Sequence, residues 1–279
     1  MANNKVCILT MIKDEIDYLE DFIEYHIKMG IDIYLFEDLY SKSHKQITDK
    51  YENAYLYSLL DLYGIDEQEE IIRKRMEEIP CQTEFINRGL KYIHSLNKYD
   101  WTALIDIDEF ITCSEKFPDI LERYKEHQAV LIYWQNYGYS GYIYKPNIKK
   151  PPYDIYNEKC GFEQYSDLKH FKITKFIVNM SKWKPTMKYY IHCANVDFVK
   201  ADGSYKRTEI VYEPLYLRHF TIRSVEEYLW KIHIRKLHHN GHRQWKSLFE
   251  MCPDCKDKID DNFFKYFKDK YGVDLPPFD

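Results

Sequence analysis

A short continuous apolar run, VCILTMI (6–12), opens the chain and stops abruptly at Lys13, Asp14 and Glu15. Runs of this kind mark strands buried on both faces of a parallel sheet. Asp14 then opens a predicted helix. Ile16, Leu19, Phe22, Ile23 and Ile27 recur on one of its faces, and Gly30 sits where a C-terminal cap belongs. IDIYLF (31–36) predicts the next strand, which ends at Glu37 and Asp38. Strand, helix and strand in this order make a βαβ unit, with a right-handed crossover expected.

The pattern recurs. Thr83 is placed to cap a helix carrying Phe85, Ile86, Leu90 and Ile93, which leads into a strand, WTALID (101–106). Pro118 suits the first turn of a helix reaching about His127, and AVLIYW (129–134) predicts a further strand. Residues 40–80 are charged and helix-leaning, with a weak strand signal. From about 135 the texture changes: NYGYSGYIYKPNIKKPPYDIYNEKCGF is rich in Gly, Pro, Tyr and Asn and predicts long loops. Such loops over a sheet commonly act as lids or binding surfaces, a linker being the plainer account. FKITKFIVNM and YYIHCANVDFV are strand-like. Ser224 and Glu227 form a capping box ahead of a helix, and DDNFFKYFKDKYG closes the chain as an amphipathic helix. There is no internal repeat and no clear second domain.

Composition narrows the function classes. Lys and Arg total 40 against 45 Asp and Glu, a net charge of −5, which lacks the basic footprint of a nucleic-acid binder. Tyrosine is abundant at 27 residues; such rings fill cores, and at pocket mouths they stack on sugars or bases. The cysteines (Cys7, Cys81, Cys113, Cys160, Cys193, Cys252, Cys255) are odd in number and scattered, which points to a reducing compartment. No signal peptide or spanning segment is evident, so a cytoplasmic protein is expected.

The chemistry concentrates in LIDIDEF (104–110), where an apolar strand runs into Asp106, Asp108 and Glu109. In an open α/β sheet ligands bind outside the carboxyl ends of the strands, where the acids at 13–15, 37–38 and 106–109 all fall. Acids gathered in a low-dielectric crevice repel one another by several kcal/mol unless a cation intervenes. Hard oxygen ligands suit Mg²⁺ or Mn²⁺, and such an ion matches a pyrophosphate.

Four blocks, in order from about residue 6 to 233, resemble glycosyltransferases of the GT-A fold, specifically family-92-like and family-2-like members. They are MIKDEIDYLEDFIEYHIKMGIDIYLFEDLYSKS, CQTEFINRGLKYIHSLNKYDWTALIDIDEFI, IYWQNYGYSGYIYKP and LYLRHFTIRSVEEYLWKI. The resemblance implies a GT-A (Rossmann-like) α/β domain over 1–220, with a mixed, mostly parallel sheet flanked by helices. Its nucleotide-binding half would cover about 1–110 and its acceptor half about 111–220, and a helical extension, 221–279, would pack on the same domain.

The resemblance also assigns roles. Asp106 and Asp108 match the D-x-D motif, with Asp108 the direct metal ligand and Asp106 nearer the donor ribose or the metal's waters. His219 matches the histidine that completes the metal site. Thr10, Lys13, Asp14 and Glu15 fall at the first strand end, where donor nucleotide binds. Asp38 matches the acid at the second strand end, and Gln82 and Asn87 match the helix beside the nucleotide. EDLYSKS lacks the usual asparagine after the acid, and Tyr137 stands where Phe is common; both leave the nucleotide's identity open.

Direct transfer with inversion needs a base to take the acceptor's hydroxyl proton. Glu163, Asp167, Asp154 and Glu109 are the candidates, with Glu163 preferred. His192 is a second histidine candidate, better suited to a core or acceptor-site place. Gly138, Ser140 and Gly141 would let backbone approach a sugar closely, or form an ordinary turn. His238, His239, His242, Cys252 and Cys255 could hold zinc, the plainer account being two cysteines on a turn between helices. Lys231 and Arg235 form a small basic patch that suits phosphate, an anionic leaflet, or simply solvent.

The expected activity is metal-dependent transfer of a sugar from a nucleotide-diphosphate donor, UDP-sugar favoured, to a glycan or glycolipid acceptor in surface polysaccharide biosynthesis. Peripheral contact with the inner face of the membrane is compatible with this. The alternatives are a nucleotidyltransferase or metal-dependent phosphohydrolase, or a non-catalytic carbohydrate-binding protein. ILTMIKDE has none of the glycines that cradle phosphate in a nucleotidyltransferase.

Overall fold

The computed structural model describes residues 4–39, 41–77, 79, 81–159, 174–205, 209–234 and 244–278. The chain divides into two compact units, one of residues 1–134 and 169–217, the other of 135–168 and 218–279.

The first unit carries the βαβ order read from the sequence. Strand β1 (Val6–Ile12) leads through helix α1 (Ile16–Ile27) to β2 (Ile31–Glu37). The short helix α2 (Lys45–Thr48), strand β3 (Ala54–Ser58), and helices α3 (Ile65–Met76) and α4 (Gln82–Ser95) precede β4 (Trp101–Leu104). Then come β5 (Glu109–Cys113), α5 (Phe117–Glu122) and β6 (Ala129–Asn136). Beyond the short helix α6 (Pro152–Ile155), which is part of the second unit, follow β7 (Thr174–Asn179), β8 (Phe198–Lys200) and β9 (Leu215–His219). The strands form one sheet in the order β3-β2-β1-β4-β7-β6-β9-β5, with β8 beside β6. β1 pairs in parallel with β2 and β4, as β2 does with β3 and β6 with β8; β7 runs antiparallel to β4 and β6. This is the α/β architecture expected, mixed and mostly parallel.

Local chemistry explains where the elements stop. Asp14 takes a left-handed φ of +52°, so the helix predicted to open there starts two residues later at Ile16. Gly30, at φ +78°, turns the chain from α1 into β2. Helix α4 starts at Gln82 with Cys81 as N-cap, so Thr83 lies inside it. Helix α5 ends at Glu122, short of the expected His127.

Both faces of the sheet are covered. Cys7, Leu9, Phe36, Leu104 and Phe176 share a core with Phe85, Leu90 and Ile93 of α4. Gly89 lets α4 settle onto β1: a Cβ there would lie 2.6 Å from Cδ2 of Leu9. Several of the tyrosines stack in this layer. Tyr34 lies on Tyr55 at 4.7 Å, and Tyr92 meets Tyr34, Phe36 and Tyr57. They are packing residues, the core role among the two proposed for this side chain. On β5, the end strand of the sheet, α1 supplies the partners that another strand would. Ile111 N–H donates to His26 Nε2 at 3.2 Å, and its carbonyl accepts from Tyr25 Oη at 2.8 Å.

In the second unit, helices α7 (Val225–His233), α8 (Gln244–Met251) and α9 (Asp261–Tyr271) gather around Ile222, Val225, Leu229, Leu248, Phe263 and Phe267. The capping box is present: Ser224 Oγ accepts from Glu227 N–H at 3.2 Å, and Tyr156 Oη donates to the Glu227 carboxylate at 2.8 Å. Asp260 caps α9, and Gly272 closes it in the left-handed conformation. Among the described residues no helix is long and apolar enough to cross a membrane.

Candidate active site

The chain leaves β1 toward β2 and β3 on one side, then returns to place β4 on the other. That reversal opens a crevice at the carboxyl ends of β1 and β4, the place where open α/β sheets bind ligands. The crevice is there: a cavity of about 30 Å³ is lined by Thr10 and Met11 from β1, Gln82 from α4, Asp106 after β4, Lys175 from β7, and Ile191.

Asp106, Ile107 and Asp108 form the turn between β4 and β5. Glu109 N–H donates to the Asp106 carbonyl at 3.0 Å, and Asp106 N–H donates to Glu109 Oε2 at 2.9 Å. The third acid of the cluster therefore staples the turn that displays the other two. Glu109 is fully buried, whereas Asp106 and Asp108 are half-buried.

The counter-charge is a lysine. Lys175 Nζ lies 2.6 Å from Asp106 Oδ2 and 3.4 Å from Glu109 Oε1, the latter a charge contact without hydrogen-bond geometry. It also sits 5.7 Å from the Trp134 ring centroid. Burial pushes the Glu109 carboxyl well above its usual range; Lys175 opposes this, while Asp106 and Asp108 add to it. Burial alone would pull Lys175 down, but Asp106 and Glu109 outweigh it and hold the ammonium above the usual lysine value. Lys175 belongs to none of the motifs, and its one visible signal is a lysine inside the apolar run ITKFIV.

The other two strand ends are clipped together. Asp14 N–H donates to Ser41 Oγ at 3.0 Å, and Lys42 N–H donates to Asp14 Oδ1 at 3.0 Å. Buried His44 accepts from Glu15 N–H through Nε2 at 3.0 Å and meets Glu37 Oε1 through Nδ1 at 2.8 Å. The two bonds fix its tautomer, with the proton on Nδ1. Asp38 is 4 % exposed and held by Arg75 of α3 through both carboxylate oxygens, Nε donating to Oδ1 at 2.8 Å and the second nitrogen to Oδ2. Nothing in the residues around Asp38 points to that partner.

The remaining candidates are placed as follows. Gln82 lines the crevice. Asn87 secures the backbone of Tyr189, accepting its N–H at 3.1 Å and donating to its carbonyl at 2.8 Å. His192 bonds the Thr174 carbonyl through Nδ1 at 3.2 Å and meets Trp134 edge-on. In the second unit, buried His219 ends β9 with Nδ1 2.8 Å from Asn136 Oδ1. Facing an amide oxygen, Nδ1 is the nitrogen that carries the proton in a neutral imidazole, which is the tautomer a metal-binding histidine uses when it ligates through Nε2. Ser140 and Gly141 both have positive φ, and Tyr142 N–H bonds the Tyr139 carbonyl, so this glycine-rich stretch forms a tight turn. Asp154 is exposed. Glu163, Asp167, Arg235, His238, His239 and His242 lie outside the described residues. Cys252 and Cys255 are buried in the core of the helices, and burial pushes the Cys255 thiol up to about 12.

Among curated proteins no sequence matches the chain. Solved structures with a distant likeness include the mannosyltransferase Ktr4p of S. cerevisiae. It is 13% identical with a TM-score of 0.30, over 64% of this chain and 57% of that one. Core-mannan synthase A of Aspergillus fumigatus, in an Mn/GDP form, is 10% identical with a TM-score of 0.31, over 64% and 60%. A 4-diphosphocytidyl-2C-methyl-D-erythritol synthase of Anaerococcus prevotii is 12% identical with a TM-score of 0.33, over 75% and 92%. The chain spans less than two thirds of the length of Ktr4p and of core-mannan synthase A, and likeness at this level identifies neither donor nor acceptor. The family comparison is of another order. The model of glycosyltransferase family 92 matches residues 4–265, nearly end to end, and the chain belongs to that family.

Proposed function

We propose that this chain transfers a sugar from a nucleotide-diphosphate donor, UDP-sugar favoured, to a glycan or glycolipid acceptor with inversion, in the assembly of a surface polysaccharide. It would work in the cytoplasm, at the inner face of the membrane. The observation that carries the reading is the D-x-D turn standing beside a crevice at the sheet's switch point. Thr10, Gln82 and Asp106 line that crevice, while Lys13, Asp14, Glu15 and Asp38 lie at the neighbouring strand ends and Asn87 on the adjoining helix.

The chemistry of the D-x-D acids fits a hard divalent ion: two half-buried carboxylates, two residues apart, on a turn closed by its own hydrogen bonds. Asp108 and Asp106 would hold Mn²⁺ or Mg²⁺, with His219 as the third ligand on the strength of the family resemblance. Such an ion neutralises charge on the departing nucleotide diphosphate. Glu109 keeps the turn in shape, Lys175 orients Asp106, and Glu163 is our choice for the residue that takes the acceptor's proton.

The test is a thermal-shift panel of UDP, GDP, CDP and TDP, each with and without Mn²⁺. One nucleotide should raise the melting temperature by about 5 °C at a hundredfold excess over its Kd, and only with metal. No metal-dependent stabilisation by any of the four removes the reading. Asp108→Asn should keep the fold and lose that shift.

A further inference from the structure

We infer that Lys175 is a built-in counter-cation of the D-x-D turn that competes with the divalent ion for Asp106, so that metal must displace or redirect the lysine to bind. The inference rests on the function proposed above and names a positioning residue within that site.

The argument begins with charge. Asp106, Asp108 and Glu109 lie within four positions on one tight turn, where both aspartates act electrostatically on the buried Glu109 carboxyl. In a chain without metal such a turn is unstable unless something supplies positive charge. Lys175 does so from the opposite strand: its side chain is 5% exposed, and its ammonium faces both Asp106 and Glu109. Two further details set it apart from an ordinary surface pair. The lysine is a wall residue of the same crevice as Asp106, Thr10 and Gln82, and it stands on β7, fixed by pairing with β4 and β6 on either side. The ammonium therefore cannot be carried away by a loop movement, and only rotation about its own side-chain bonds releases Asp106 Oδ2.

A fixed single charge and an incoming double charge cannot share one carboxylate oxygen at full strength. Lys175 thus keeps the turn formed in the absence of metal and lowers the turn's affinity for it. Released from Asp106, the same ammonium remains in the crevice wall, where a diphosphate would be the next anion within reach. Metal binding and donor binding would then reinforce one another, because each completes the charge balance that the other disturbs.

The experiment measures Mn²⁺ binding to the full chain without nucleotide, by electron paramagnetic resonance of free Mn²⁺ and by calorimetry. Lys175→Met should bind Mn²⁺ about tenfold more tightly than wild type, the size expected for losing one positive charge a few ångströms from the ion in a solvent-accessible site. The change is made alone and together with Glu109→Gln, which removes the second acid facing the ammonium and offers a folded background should the single variant lose its structure. Lys175→Arg keeps the charge and should stay within about threefold of wild type. With saturating Mn²⁺, Lys175→Met should lose UDP or GDP affinity, whichever the wild type binds. Mn²⁺ binding that is unchanged or weaker in a folded Lys175→Met chain than in wild type, or in the double variant than in Glu109→Gln alone, overturns the inference and leaves the proposed function standing. A wild-type chain that binds no Mn²⁺ overturns both.

Discussion

Lys175 Nζ sits 2.6 Å from Oδ2 of Asp106, across the gap between two antiparallel strands and 69 residues along the chain. This one contact converts an acid cluster that should repel itself into a turn that holds its shape. Sequence alone raises the question of which cation resolves LIDIDEF and suggests a metal. The fold supplies a lysine first, and any metal arrives in competition with it.

Glu109 should respond in two different ways to substitution. Its burial already favours the uncharged carboxyl, and the amide of Glu109→Gln can still accept from Asp106 N–H. That variant should stay within about 1 kcal/mol of wild type. Glu109→Ala leaves the Asp106 N–H without its acceptor and opens a cavity at a fully buried position, and should cost about 3 kcal/mol. Urea unfolding of both variants checks this, and equal losses would remove the staple role.

Stability should fall on the acid side of neutrality, in part because of His26. Burial holds its imidazole down at about 3, and both ring nitrogens are used, Nδ1 toward the Phe22 carbonyl and Nε2 toward Ile111 N–H. The folded pKa lies below the unfolded one of about 6.5, so the contribution is fully present above pH 6.5. As the pH drops below that value the unfolded chain binds a proton the folded chain refuses, and stability declines by about 1.4 kcal/mol per unit until pH 3. Carboxylates add their own acid dependence, so the readout is a difference. Wild type should lose about 2.3 kcal/mol more than His26→Gln between pH 6.5 and 4.5. Parallel profiles in chemical denaturation would rule the histidine out.

Asp38 and Arg75 should behave as a buried pair. Arg75→Met strands a carboxylate whose side chain is 2% exposed, and should cost about 3–5 kcal/mol. Asp38→Asn in the same chain should restore part of that loss, because an amide tolerates burial better than an unpaired charge. A double-mutant cycle with additive losses would show that the pair is not coupled.

Gly89→Ala tests how closely α4 approaches β1. Alanine improves helix propensity by about 1 kcal/mol, but its Cβ overlaps Leu9, and overpacking of this kind costs about 1–3 kcal/mol. A small net loss of stability is expected, with weaker nucleotide binding as Leu9, itself a crevice residue, is pushed aside. Gains in both stability and binding would show that the helix floats freely on the strand.

Much of this arrangement was legible in the sequence because it is local. The strands at 6–12 and 31–36, the acids after them, the capping box at Ser224 and the D-x-D turn all follow from short-range patterns. Partners supplied by distant strands and helices were not. Lys175 and Arg75 look like ordinary lysine and arginine until β7 is placed beside β4 and α3 beside the end of β2. Asn87 and His26 belong to family-like blocks, yet their observed bonds are structural, to the backbone of Tyr189 and of Ile111. A motif marks a residue; only the packing tells whether it faces a ligand or another part of the chain. The preferred base, Glu163, lies outside the described residues, and its role rests on the sequence.

The way β5 is closed has a meaning for self-association. An end strand offers its backbone groups to any passing strand, and pairing of that kind is how sheets join edge to edge. Here the N–H and the carbonyl of Ile111 are already taken by His26 Nε2 and Tyr25 Oη of α1. A second copy would have to break both bonds before it could add a strand at this point, so two side chains of one helix act as a lock against assembly along that edge.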